Sequence, residues 1–62
     1  MTINLALSAD DARLLHEHLR RHIDEVDDEL IHTDNRTMRH ALVEDVDRLR
    51  RIEKQLAQLL GQ

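Results

Sequence analysis

His18 and His22 stand four residues apart, a spacing that on a helix stacks two imidazoles one turn apart and lets both reach a single metal ion, with Glu25 on the same flank as a third ligand. Five histidines in 62 residues is the one oddity of composition. The residue after His18 is Leu19, so the glutamate of a His-Glu-x-x-His metalloprotease motif is missing, and His16 falls on a different side of the helix. We therefore read the histidines as boundary and surface residues and expect no cofactor. Ser8 is the sole serine and is placed to cap a helix. Cysteine is absent, and so are a glycine-rich phosphate loop and a Gly-x-Ser-x-Gly elbow. No enzymatic activity is expected.

Two other constellations carry charge. Arg48, Arg50, Arg51 and Lys54 form a basic segment that could meet an acidic protein or an RNA backbone, although Asp47 and Glu53 sit among the cations. Asp45 interrupts an otherwise apolar heptad seam at 38, 42, 45, 49, 52, 56 and 59, and His22 interrupts the matching seam at 15, 19, 22 and 26. In an antiparallel hairpin turning near 33–35, Leu19 faces Leu49, Val26 faces Leu42, and the two polar lapses face each other. A structural polar pair, His22 with Asp45, is the expectation. Its role would be to fix register or oligomeric state, as single buried polar residues do in coiled coils.

These residues need elements to hold them. Ser8-Ala9-Asp10-Asp11 is a helix start, a hydroxyl followed by carboxylates in the positive first turn. From there Ala12, Leu15, Leu19, Ile23, Val26 and Leu30 recur at spacings of three and four, which predicts a helix over 9–32. Thr33-Asp34-Asn35 breaks the period, and Thr33 or Asp34 is expected to cap the next helix. Met38, Leu42, Leu49, Ile52, Leu56 and Leu59 then predict a helix over 35–60, closed by Gly61, the single glycine. Helices of this size run about 36–39 Å at 1.5 Å per residue, and so short a link must fold them antiparallel.

Residues 2–8 read differently. Ile3, Leu5 and Leu7 alternate with Thr2, Asn4 and Ala6, which predicts a β-strand with no second strand in the chain to pair with. Val43, Val46, Ala57 and Leu60 also widen the second helix's stripe beyond what one neighbour covers. The expected fold is mainly α: one domain over 1–62, a short N-terminal β-strand and a helical hairpin. It dimerises into a four-helix bundle with a two-stranded intermolecular sheet through Ile3, Leu5 and Leu7. A chain this short buries only about 60% of its unfolded surface, and dimerisation would supply the missing core.

Composition narrows the function. The formal charge of −4 opposes phosphate backbones, and the absence of Phe, Tyr and Trp removes the rings on which bases stack, so general nucleic-acid binding is disfavoured. No apolar run is long enough for a signal peptide or a transmembrane helix, and a chain without cysteine gives no sign of an oxidising compartment. A cytoplasmic setting without membrane contact is expected.

Leu7-Ser8 before the Ala12/Leu15 helix, then Glu29-Leu30-Ile31 with Thr33-Asp34, then Arg39 and Leu42, resembles small bacterial proteins of strand-plus-helical-hairpin form. That resemblance implies no activity. In bundle architecture alone the hairpin is also similar to the plasmid-copy-number RNA-binding Rop family, which lacks the leading segment. The function expected is a non-enzymatic, homodimeric interaction module, structural or regulatory, whose partner is itself and which leaves surface for another protein. The alternatives are a Rop-like RNA-associated bundle using Arg48, Arg50, Arg51 and Lys54, and a bundle that binds metal through His18 and His22.

Overall fold

Two capping side chains decide where the helices begin. In the computed structural model, which describes residues 1–61, Ser8 Oγ accepts a hydrogen bond from the Asp11 amide at 3.1 Å and opens α1 (Ala9–Ile31). Asn35 Oδ1 accepts from the amides of Thr37 and Met38 at 3.0 and 3.1 Å and opens α2 (Arg36–Leu59). The second cap corrects the expectation of Thr33 or Asp34. A cap must stand one residue before the helix for its side chain to reach the second and third amides. Thr33 is committed elsewhere, its hydroxyl donating to the Glu29 carbonyl at 2.6 Å.

The turn is tied to α1 from both sides. His32 donates its amide to the Glu29 carbonyl at 3.1 Å, and the Arg39 guanidinium, one turn into α2, donates to the Leu30 carbonyl at 3.0 Å. Carbonyls that would otherwise end α1 unpaired are thereby satisfied. At the far end Gly61 takes φ +80°, a left-handed conformation that stops α2 and that glycine adopts without the steric cost a Cβ brings.

Residues 1–8 correct the largest expectation. They form no strand, and among the described residues there is no β-sheet of any kind. The alternation of Ile3, Leu5 and Leu7 has another physical origin: these side chains line a concavity at the open end of the hairpin with Leu15, Leu56 and Leu59. Period-two apolar spacing marks a segment with one greasy side, and without a neighbouring strand that segment forms no ladder.

The core is small. Ile23, Val26 and Val46 are its only buried side chains among the described residues, with Leu30, Leu42 and Leu49 packed against them. Val46, at 2% exposure, is the most buried of the described residues, although the heptad reading set it on the stripe's edge and Asp45 in the seam. α2 is rotated about its axis relative to that reading. The rotation carries Asp45 outward to an exposed position.

Candidate functional site

A hairpin of two helices has two long flanks where their surfaces meet the outside, and here the flanks differ in chemistry. On one, His16 Nε2 lies 2.8 Å from Glu53 Oε1, both side chains four-fifths buried, and Arg20 approaches the same carboxylate oxygen at 3.8 Å. Further along, Arg50 donates to Asp27. Asp24, Arg51 and Lys54 also line this groove, which thus mixes charges of both signs. This is the polar flank.

The other flank is apolar and open. Leu15 and Ile52 remain 40% and 46% exposed, Met38 59%, and Leu42, Leu49 and Leu56 are only partly covered. In its middle a shallow concavity is lined by Val26, Leu42, Leu49 and Ile52, with four polar side chains around them: His22 and Glu29 from α1, Asp45 and Arg48 from α2.

His22 and Asp45 line the same shallow depression, but both are exposed and no hydrogen bond or ion pair joins them among the described residues. The His22 ring instead lies 3.8 Å from Glu25, one turn along its own helix. The cross-hairpin polar links fall to His16–Glu53 and Asp27–Arg50. Sequence reasoning set His16 aside as pointing elsewhere. A search for oppositely chargeable residues on the second edge of each stripe would have paired it with Glu53.

The basic segment is divided by the hairpin. Arg50, Arg51 and Lys54 lie on the polar flank among Asp24, Asp27 and Glu53, and Arg48 lies on the apolar flank beside Asp45. Carboxylates therefore stand beside the cations on both flanks. His18 and His22 also separate in their surroundings: His18 lines a recess with Leu7, Asp11, Leu14 and Leu15, and His22 faces Glu25. Among the described residues no group of three or more His, Asp or Glu side chains is arranged to hold a metal ion. Among the described residues no helix is long and apolar enough to cross a membrane.

The fold and its flanks define an antiparallel helical hairpin with one flank of mixed charge and one apolar flank that is open in its middle and bordered at the open end by Ile3, Leu5 and Leu7. No protein-family model, curated protein or solved structure matches this chain.

Proposed function

We propose that the chain is a non-catalytic interaction module that works as a homodimer, two hairpins packing through their apolar flanks into a four-helix bundle. The observation that carries this reading is the open flank itself, where Leu15, Met38 and Ile52 stay exposed beside a core of only three buried side chains. Domains this short reach stability through disulfides, metal or association. With no cysteine in the chain, burying a long apolar stripe against a neighbour is the route its residues supply. The broad side of the molecule measures 40 by 26 Å, room for the roughly 800 Å² per partner that a standard interface buries. The lack of cysteine also suits a reducing, cytoplasmic setting.

Light scattering coupled to gel filtration tests the reading. A two-chain mass at micromolar concentration is expected, and Ile52→Glu, which charges the middle of the open flank, should shift the protein to monomer or unfold it. A native chain that remains a folded monomer at micromolar concentration overturns the proposal.

A further inference from the structure

The polar side chains of the open flank are arranged in a way that selects one occupant and one orientation. On α1, His22 and Glu29 lie on either side of Val26. On α2, Asp45 and Arg48 lie on either side of Val46. Val26 and Val46 belong with Ile23 to one buried cluster, so the two valines lie within about one helical turn of each other along the hairpin. At that level each helix presents a donor on one side and a carboxylate on the other.

The order of the groups completes the pattern. Because the helices run antiparallel, the donors His22 and Arg48 both lie toward the open end, and the carboxylates Glu29 and Asp45 both lie toward the turn. A two-fold axis along the helices would lay α1 of one chain on α2 of the other at the same height and set donor against donor. A two-fold axis crossing the helices at the Val26–Val46 level reverses direction. It lays α1 on the partner's α1 and α2 on the partner's α2, and it carries every carboxylate onto a donor.

We infer that the partner of the open flank is a second copy of this chain related by that crossing axis, with His22 opposite Glu29 of the partner and Asp45 opposite Arg48 of the partner. This rests on the homodimer reading above and adds its geometry. The apolar seam accepts the same axis: Leu42 falls opposite the partner's Ile52, and Met38 opposite the partner's Leu56. An imidazole N–H can donate to a carboxylate, and an Arg–carboxylate pair at an interface acts chiefly on register and partner choice, which is the role asked of it here. Neighbouring helices are then antiparallel throughout, and the two turns stand at opposite ends of the bundle.

Spin labels on Asp34→Cys, the only cysteine such a chain would hold, measure the orientation. Asp34 lies about 12–13 Å along the helix from Val26, so the crossing axis places the two labels roughly 25–35 Å apart, whereas turns on the same end would keep them within about 20 Å. Arg48→Glu, an exposed substitution, sets two carboxylates against each other and should weaken the dimer by at least about tenfold. Asp45→Lys combined with Arg48→Glu restores the pairing and should recover most of that loss. A dimeric mass with the short label distance, or a dimer indifferent to Arg48→Glu, overturns the crossing axis and leaves the homodimer standing. A monomeric native mass overturns both.

Discussion

At the scale of single residues, Val43 and Val46 show how much the rotation of α2 matters. Both belong to the stripe's sideways extension in the sequence, yet Val46 is the centre of the core and Val43 is 38% exposed. Val46→Ala is expected to cost about 2 kcal/mol, from lost burial and the cavity left behind, and Val43→Ala well under about 1 kcal/mol. Urea denaturation at one fixed protein concentration compares them, since under the proposed association stability would depend on concentration. Glu53 offers a second contrast. Its carboxylate serves both the mostly buried His16 and the mostly exposed Arg20, so Glu53→Ala is expected to cost about 1–2 kcal/mol, nearly all of it through His16. Asp27→Asn, at an exposed pair, should change stability by less than about 1 kcal/mol in the same titration. Equal losses at both positions would mean that the two flank contacts do not differ in burial.

At the scale of elements, the two helices were legible because their signals are local and redundant. Ser8 followed by two aspartates, six apolar residues at spacings of three and four, a polar break and a terminal glycine all point the same way. What failed depended on information outside each segment. A heptad count finds the apolar stripe but not its central line, because a few tens of degrees of rotation exchange Asp45 for Val46 at the core, and that angle is settled by how both helices pack together. The alternation at 2–7 likewise could not say whether its apolar side meets a strand or a helix end. Cap choice was decided by a side chain's reach: Asn35 occupies the position from which two amides are accessible. Asn35→Ala should therefore lower stability by about 1 kcal/mol, with Thr37→Ala as the control whose effect is smaller, measured by thermal unfolding at fixed concentration. A larger loss at Thr37 would show that the cap lies elsewhere.

At the scale of the whole molecule, one chain makes a thin layer: two helices side by side, one flank lined by charges of both signs and the other apolar and open, the side on which we propose a second copy docks. The melting temperature should accordingly rise as protein concentration is raised, by several degrees for each tenfold step, which differential scanning fluorimetry over a hundredfold range would read. A melting temperature independent of concentration would mean that the hairpin is stable alone. The turn described earlier has a consequence for the path to this state. Thr33 returning to Glu29, Arg39 reaching Leu30 and Asn35 holding the first amides of α2 are all contacts between residues close in the chain. Low contact order of this kind favours fast folding, so the hairpin should zip from its bend outward on the microsecond-to-millisecond scale. The docking of two such hairpins proposed above would be bimolecular. Refolding followed by stopped flow should then separate into a first-order burst and a slower phase whose rate scales with protein concentration, the chain assembling its own half before it meets the other.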